Sequence, residues 1–184
     1  MRALHKETDV IWERIRQAAS FFRGIKYVKP EIGHATNEEI EGFSELLQIE
    51  AKNGHFTGPK TMTEAAQYVW ELQAANEAVS RGRPAMVTTY SIRVQGRAIG
   101  LCVLRATENA AVLDLNVALI KQEWRNRGFG RYVIDAFRNE LASSGRRLLV
   151  RCMPASAGMI NLLQQMGFEE VPARSSTARH FLTT

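Results

Sequence analysis

Three arginines and two glycines share one short turn in QEWRNRGFGRYVIDAF, residues 122–137. Glycine lets an anion come close to the main chain because it has no Cβ, and guanidinium groups add positive charge beside it. An apolar stripe follows the turn and predicts an amphipathic helix, with Val133, Ile134, Phe137 and Leu141 on one face. The first backbone N–H groups of a helix are unpaired and attract anions. The stretch therefore predicts a cradle for a ligand that carries a diphosphate.

The overall charge agrees with an anionic ligand without identifying it. The chain has 184 residues and a formal net charge of +5. A second basic group, Arg146, Arg147 and Arg151, follows the first. A nucleic acid that contacts both groups, or a solvated basic face, is therefore an alternative to a phosphate-bearing cofactor. Only Trp124 and Phe129 interleave with the first group, which argues against stacking on single-stranded nucleic acid.

The composition is that of a soluble globular protein of one domain, with 45% hydrophobic and 23% charged residues. No apolar run is long enough to predict a membrane span, and the N-terminus lacks the apolar core of a signal peptide. Cys102 and Cys152 lie in apolar runs, so we expect buried free thiols in a reducing compartment and hence a cytoplasmic location. The four histidines are scattered and no Cys/His pair has ligand spacing, so no metal site is expected.

Hydrophobic periodicity divides the chain into two parts. The first eighty or so residues are predicted to be mainly helical, from a stripe over residues 11–22 and two capping-box patterns, TNEE at 36–39 and TMTE at 61–64. The first box precedes a single stripe formed by Ile40, Phe43 and Leu47.

The second part predicts strands. Three alternating or β-branched runs separated by turns indicate antiparallel strands, at 85–94, 97–106 and 110–120. Two further strands are predicted at 146–153 and 178–184, with a helix between them that begins after Ser156. The order of elements predicts an α/β or α+β domain with a mixed sheet.

The six residues Arg125-Asn126-Arg127-Gly128-Phe129-Gly130 match the pattern Arg/Gln-x-x-Gly-x-Gly/Ala. They do not continue as a nucleoside-triphosphate loop, and Val133 stands where the dinucleotide fingerprint needs a third glycine. Here the chain resembles the GCN5-related N-acetyltransferases (GNAT superfamily), in which a strand precedes this loop and a strand, a helix and a Gly-Phe pair follow it. The Gly-Phe pair is Gly167-Phe168.

The resemblance covers residues 85–184 and implies a GNAT-like mixed, mostly antiparallel sheet with flanking helices. It implies a single domain over residues 1–184, with an extended, mainly helical N-terminal region at 1–83 and an acyl-coenzyme A-binding core at 84–184. The stretch GIKYVKP, residues 24–30, is the best candidate for the family's first strand.

Members of this family bind acetyl-coenzyme A or another acyl-coenzyme A as co-substrate, without a metal, and acylate a primary amine. The acceptors that the resemblance implies are amines of a small molecule, a protein or an aminoacyl-tRNA. It implies no membrane partner and leaves a homodimer open. The pantetheine arm pairs with the end of the fourth strand and the diphosphate binds the loop. The resemblance therefore implies these contact residues: Ala118, Leu119, Ile120, Arg125, Asn126, Arg127, Gly128, Phe129, Gly130 and Arg131.

Some members carry a carboxylate base on the fourth strand, and the matching position here is Asp114. Strand alternation predicts that Asp114 and Asn116 share one face, opposite Leu113, Leu115 and Val117. Asp114 is then either the base that removes the proton of the amine or the partner of a neighbouring strand arginine, Arg93 or Arg105.

The sequence departs from the family at the general acid. Leu163 stands where many members have the tyrosine that protonates the departing thiolate, and Ser156 and Met159 replace the usual Asn and Ala. Ser156 is a candidate for the catalytic set, or alternatively the N-cap of the helix. The departure leaves open a catalytically weak coenzyme A-binding sensor or interaction module. The segments expected to line the acceptor pocket are the loop at 53–60 and the tail near His180.

Overall fold

The computed structural model describes residues 29–173 and 177–183. The stripe predicted over residues 11–22 lies outside the described residues. So does most of the candidate first strand at 24–30, whose described end, Lys29 and Pro30, has no regular structure. The described residues form five α-helices: α1 Asn37–Glu41, α2 Ser44–Lys52, α3 Met62–Ser80, α4 Phe129–Ser143 and α5 Ala157–Gln165. None of these helices is long and apolar enough to cross a membrane.

One sheet of seven strands organises the described chain. The strands are β1 Glu31–His34, β2 Val87–Val94, β3 Arg97–Ala106, β4 Val112–Ile120, β5 Arg147–Cys152, β6 Glu169–Val171 and β7 Arg179–Leu182. Their order across the sheet is β1-β2-β3-β4-β5-β7-β6. The pair β4–β5 is parallel and the other neighbours are antiparallel. The predicted mixed, mostly antiparallel sheet with flanking helices is confirmed.

Two strands and one helix break differ from the sequence predictions. Strand β1 pairs with β2 although its residues fall in the region predicted to be mainly helical, and β6 was not predicted. The stripe Ile40, Phe43 and Leu47 belongs to two helices, because the chain turns after α1 and Phe43 has φ −103° and ψ 0°. All three side chains are still buried. Burial of the stripe therefore survives the break.

Both predicted capping boxes are present. Thr36 and Glu39 cap α1, and Thr61 and Glu64 cap α3, each through the reciprocal backbone and side-chain hydrogen bonds of the motif. Glu39 also forms an ion pair with Arg93 of β2. Burial is the strongest single influence and opposes ionisation of Glu39, but hydrogen bonds led by those from Arg93 and the Thr36 backbone, with the charge of Arg93, together outweigh it and lower the carboxyl pKa below its ordinary value. The start of α1 is thereby attached to the sheet.

The sheet separates two apolar layers. The first lies under α4 and α5 and includes Phe129, Ile134 and Phe137 of α4. The second lies under α1, α2 and α3 and includes Leu47 and Leu72. Helix α4 buries the one apolar face that its periodicity predicts. This packing positions the first turn of α4 close to the end of β4.

Both cysteines are buried and free, as predicted. Burial raises the pKa of Cys102 to about 12 and that of Cys152 to about 12, so both stay protonated at neutral pH. They are core residues of the layer under α4 and α5.

Strand β4 contains a bulge that the alternation rule did not anticipate. Val103 pairs with Val117 while the next residue, Leu104, pairs with Leu115, so Asn116 is the extra residue. As a consequence Leu115 packs in the layer under α4 and α5, and Val117 packs in the layer under α1 to α3. The prediction that Leu115 and Val117 share a face is therefore wrong.

Strands β4 and β5 pair over only part of their length. The register runs from Val112↔Arg147 to Leu115↔Val150 and ends there, although β4 continues to Ile120. The last five residues of β4 therefore have no partner on the β5 side among the described strands. This separation and the bulge occur at the same point of the strand.

The close approach of β3 to β4 gives a test of the fold. A Cβ at Gly100 would lie 2.6 Å from the carbonyl oxygen of Leu119, whereas a Cβ at Gly158, in α5, would meet nothing within 4 Å. We expect Gly100→Ala to lower the free energy of unfolding by about 1–3 kcal/mol. Gly158→Ala is the matched control and should raise it by about 0.5–1 kcal/mol, since alanine favours a helix. Urea unfolding of both variants measures the difference, and equal effects would contradict the close approach.

Candidate functional site

The turn between β4 and α4 leaves its backbone donors unpaired. A 3₁₀ helix, Gln122–Trp124, is followed by Asn126 with φ +59° and by Gly128 with φ +82°. The N–H of Tyr132 is the first in α4 to bond, to the carbonyl of Gly128 at 3.0 Å. From Asn126 to Arg131, no backbone N–H donates to a group of the described residues. Consecutive unpaired donors at a helix start form a site for an anion.

The glycines of this turn keep the space beside it open. A Cβ at Gly128 would meet nothing within 4 Å, and a Cβ at Gly130 would make only ordinary contact, 3.5 Å from Leu162 Cδ2. Between them, Phe129 is buried in the layer under α4 and holds the turn against the core. The turn is thus fixed on its inner side and open on its outer side, as a bound diphosphate requires.

The three arginines of the turn, expected to supply charge at its rim, have different contacts. Arg125 donates from Nε to the Ile120 carbonyl at 2.8 Å and from Nη2 to Glu50 Oε1 at 2.7 Å. Arg127 lies over the Trp124 ring, 5.1 Å from its centroid. Arg131 donates to the side chain of Gln165, at the end of α5. Arg125 therefore fixes the turn to α2, and the exposed Arg127 is the guanidinium best placed to reach an anion.

An apolar recess adjoins the unpaired end of β4. It is small, with a cavity volume of about 20 Å³, and opens to solvent between the sheet and the first turns of α4 and α5. Ala118 and Ile120 of β4, Gly130 and Val133 of α4, and Met159 of α5 line it, together with Ile92, Cys102, Leu119 and Ile134. The cleft between the separated ends of β4 and β5 therefore connects the anion site to a surface lined by apolar side chains.

The loop at 53–60 bridges the mouth of this cleft. Ser156 Oγ donates to the His55 carbonyl at 2.9 Å and lies 3.4 Å from His55 Nδ1. His55 Nε2 is 3.8 Å from Glu50, which also holds Arg125. Ser156 occupies the N-cap position of α5, but its side chain makes no capping bond, so its role as a capping side chain is not observed. Glu50 was missed because nothing in the sequence links it to Arg125, 75 residues further along the chain. His55 falls in the loop at 53–60 that was expected to line the acceptor pocket, but its contact with Ser156 was not anticipated.

Asp114 is held by an arginine of β5. Its side chain is 2% exposed and its Oδ2 forms an ion pair with Arg151, not with Arg93 or Arg105 as the sequence suggested. Arg93 is paired with Glu39 instead. Asp114 Oδ1 is buried and has no partner among the described residues. This geometry favours the ion-pair interpretation of Asp114 and leaves one oxygen available to a ligand or water.

A second arginine lies beside this pair. Arg105 is the Cα partner of Asp114 in the β3–β4 register, and its Nε donates to Asn116 Oδ1 at 3.2 Å. Tyr68 of α3 faces the same cluster. Burial raises the pKa of its hydroxyl, and nearby Arg105 partly offsets that rise. Tyr68 and Arg151 were not predicted near Asp114, since only the tertiary fold brings them there. Arg105 was predicted as a strand neighbour of Asp114 and is one, but its observed side-chain bond is to Asn116.

Comparisons with known structures identify the architecture. The chain matches RimL, the ribosomal L7/L12 alpha-N-protein acetyltransferase, in complex with coenzyme A, over 87% of this chain and 97% of that one, with 15% identity and a TM-score of 0.66. It matches the aminoglycoside acetyltransferase AAC(6')-Ib in complex with coenzyme A over 85% and 95%, with 14% identity and a TM-score of 0.64. A GNAT domain of PAT from S. lividans matches over 83% and 88%, with 16% identity and a TM-score of 0.61. The chain has the GNAT fold.

At these identities the likeness establishes the GNAT fold and not the activity. No protein-family model matches the chain, and no curated protein matches its sequence. Function has therefore to be argued from the site. Across the described part of this GNAT fold, no group of three His, Cys, Asp or Glu side chains could hold a metal ion.

The ion pair between α2 and the turn can be tested against an exposed one. Glu50 is 9% exposed and pairs with Arg125, whereas the pair Glu77–Arg81 is exposed along α3. We expect Glu50→Gln to lower the free energy of unfolding by about 1–2 kcal/mol, since a buried acceptor loses its charge. Glu77→Gln should cost less than about 0.5 kcal/mol. Denaturant titrations give both values, and an equally small loss in the two variants would show that Glu50 does not anchor the GNAT-fold turn.

Proposed function

We propose that the protein is an acyl-coenzyme A-dependent N-acyltransferase and that acetyl is the group it transfers. One observation carries the proposal. The backbone N–H groups from Asn126 to Arg131 are unengaged among the described residues, and they lie beside a cleft that opens where β4 leaves β5. A diphosphate needs several convergent donors, and a helix start provides them together with the positive end of its dipole.

The remaining cofactor-binding residues follow the same cleft. Residues 118–120 pair with β3 on one side but with no described strand on the β5 side. The backbone groups on that open side are suited to the amides of a pantetheine arm, which must find hydrogen-bond partners when buried. Met159 and Val133 offer apolar contacts to its methylene groups from the opposite wall. Arg127 and Arg131 lie at the outer end, where the phosphates are expected.

When bound, acetyl-coenzyme A supplies an acyl group activated as a thioester. The acceptor amine attacks as the free base, a C–N bond forms, and the C–S bond breaks to release a thiolate. In our proposal Asp114 Oδ1, which lacks a partner in the described structure, receives the proton of the ammonium through a water, because the atom is buried. Asn116, the extra residue of the bulge, lies next to it and orients Arg105.

The proposed catalytic role of Ser156 is limited by its contacts. Its hydroxyl hydrogen is used in the bond to the His55 carbonyl. Donation to a departing thiolate would require this bond to break. We therefore place Ser156 in the wall of the cleft, where with His55 it closes the cleft above the pantetheine arm.

The acceptor is a primary amine of a small molecule, a protein or an aminoacyl-tRNA. The structural neighbours include a protein that acetylates a ribosomal protein and one crystallised with the aminoglycoside ribostamycin. These acceptors share the amine and little else. The fold alone therefore leaves the acceptor class open in this chain.

A second function is favoured by Leu163. The residue at the position of the family's tyrosine is fully buried and apolar, so it cannot protonate a thiolate. A protein that binds coenzyme A without efficient transfer, as a sensor or interaction module, agrees with this replacement. The two functions separate in one assay, because the module binds the cofactor by calorimetry but releases no free thiol with any amine.

The proposed diphosphate site at the turn is tested by two substitutions of Gly128 that introduce side chains of the same size but different charge. Gly128→Asp places a carboxylate at the proposed phosphate position, and Gly128→Asn places a neutral group of the same size there. Asn tolerates the positive φ of +82°, so the backbone should be preserved. We expect the Kd for coenzyme A to rise at least about 100-fold in the Asp variant, from charge repulsion, and about tenfold or less in the Asn variant. Calorimetry measures both, and retained affinity in Gly128→Asp would reject the assignment.

The base is tested with Asp114→Asn. We expect kcat/KM to fall about 100-fold near neutral pH, the usual contribution of a general base. The loss should shrink as the pH rises, because more of the amine is then already deprotonated. Thiol release from pH 6 to pH 10, normalised to folded protein, measures this. A lower melting temperature with unchanged turnover per folded molecule would mean that Asp114 acts only in the ion pair.

A further inference from the structure

The arginine that pairs with Asp114 is exposed although its partner is buried. The Arg151 side chain is 43% exposed and that of Asp114 is 2% exposed. The guanidinium group of Arg151 therefore remains accessible to solvent although it is paired. A buried carboxylate that holds one Nη group fixes the orientation of the guanidinium, and the remaining N–H donors face outward with no partner among the described residues.

Arg105 is held in the same way on the other side of Asp114. Its Nε is bonded to Asn116, and the β3–β4 register places Arg105 opposite Asp114, so the two side chains project from the same face. Two fixed guanidinium groups thus flank one carboxylate. Glu71 of α3 is the other acidic residue that acts on Tyr68 here, and it lies on the exposed surface. The two guanidinium groups and the Asp114 carboxylate that they flank therefore carry one positive charge in excess, which Glu71 offsets only from the solvent-exposed surface, where charges are screened.

The cluster lies at the point where the cleft begins. Arg151 follows Val150, the last residue of β5 that pairs with β4, and Asn116 follows Leu115, its partner. Arg151 is also the Cα partner of His180 in β7, so the tail predicted to line the acceptor pocket borders it. Leu149 and His180 on this face are only partly buried. An acceptor that reaches a thioester in the cleft would pass Arg151.

We propose that Arg151, supported by Asp114, binds a carboxylate of the acceptor, and that the acceptor is a small amine with a carboxylate a few bonds from its nitrogen, such as a free amino acid. The inference rests on the proposed acyltransferase function and specifies its substrate class. The planar guanidinium can donate two parallel N–H···O bonds to a carboxylate, which accepts them. Oδ1 of Asp114, unpartnered in the described structure, is then next to the ammonium of the same molecule.

The charge of the cluster decides between acceptor classes. One excess positive charge matches a carboxylate, whereas a phosphate monoester carries a charge of about −1.5 to −2 at neutral pH. Polycationic acceptors such as aminoglycosides or polyamines would be repelled by both guanidinium groups. In a protein, the α-carboxyl group of a lysine or of the N-terminal residue is part of a peptide bond, so neither amine brings its own carboxylate. A free amino acid satisfies both ends of the site.

The wild-type protein allows the first test. Thiol release from acetyl-coenzyme A is measured with a panel of free L-amino acids, the corresponding L-amino acid amides, phosphoethanolamine, spermidine and kanamycin. We expect kcat/KM for the best acid to exceed that for its amide by at least about 100-fold, because the amide leaves Arg151 without its partner. The amide has the less basic amine, so intrinsic reactivity would favour the amide. Equal rates, or preference for the amide, phosphoethanolamine or a polyamine, would overturn the inference.

Two variants then locate the effect. Arg151→Gln should raise KM for the acid at least tenfold and bring the acid-to-amide ratio towards one, and Arg151→Lys should restore it only in part, since lysine lacks the fork. Arg146→Gln, which removes an exposed charge just before β5, is the matched control and should behave as wild type. If Arg151→Gln does not fold, the Lys variant and competition by des-amino carboxylates decide. An unchanged acid preference in the Arg151 variants would reject the site.

The two proposals fail in different ways. If coenzyme A binds and thiol is released with amides as fast as with acids, the carboxylate site is wrong and the acyltransferase stands. If calorimetry shows no coenzyme A binding and no amine releases thiol, both fall together.

Discussion

The separation of β4 from β5 is the constraint on which the other features of the site depend. Two parallel strands that share a crossover helix would normally pair along their whole length, and here pairing stops at Leu115↔Val150. The bulge at Asn116 re-aims the rest of β4, because an extra residue bends the strand and reverses its faces. The backbone edge that becomes unpaired would be unfavourable in a closed core. It is tolerable at the wall of a solvated cleft, and a ligand with amides can satisfy it.

Polar contacts, in addition to packing, fix the positions of the two sides of this cleft. Glu50 connects α2 to Arg125 at the end of β4, while His55, in the loop after α2, contacts Ser156 after β5. The segment that contains the end of α2 and the loop after it therefore contacts both sides of the cleft. Since Glu50 is buried and Arg125 is partly exposed, the ion pair positions the turn without placing two charges in the core. The first helix donors of α4 are left pointing into open space.

Local sequence signals predicted the elements well and their assembly poorly. The capping boxes at Thr36 and Thr61 and the glycine turn at Gly128 were predicted correctly because each depends on residues within one turn of the chain. Strand β1 was missed because four residues are too few to show an alternation, and the bulge in β4 was missed because alternation assumes a regular ladder. The sequence suggested Arg93 or Arg105 as the partner of Asp114, whereas its ion pair is with Arg151. Arg151 becomes its neighbour only through the parallel β4–β5 pair, which joins distant parts of the chain and leaves no local signal.

The distribution of positive charge shows why the basic composition alone could not identify a ligand. Of the first arginine group, Arg125 is neutralised by Glu50, and Arg127 and Arg131 remain near the turn. In the second group Arg151 is fixed on the opposite face of the sheet from α4, at the other end of the cleft. One positive region thus lies at each end of the cleft. This arrangement suits a long ligand whose phosphorylated end binds at the turn, and a smaller anion that binds next to the other end of that ligand. A continuous polyanion would need both regions on one surface, and the sheet lies between them.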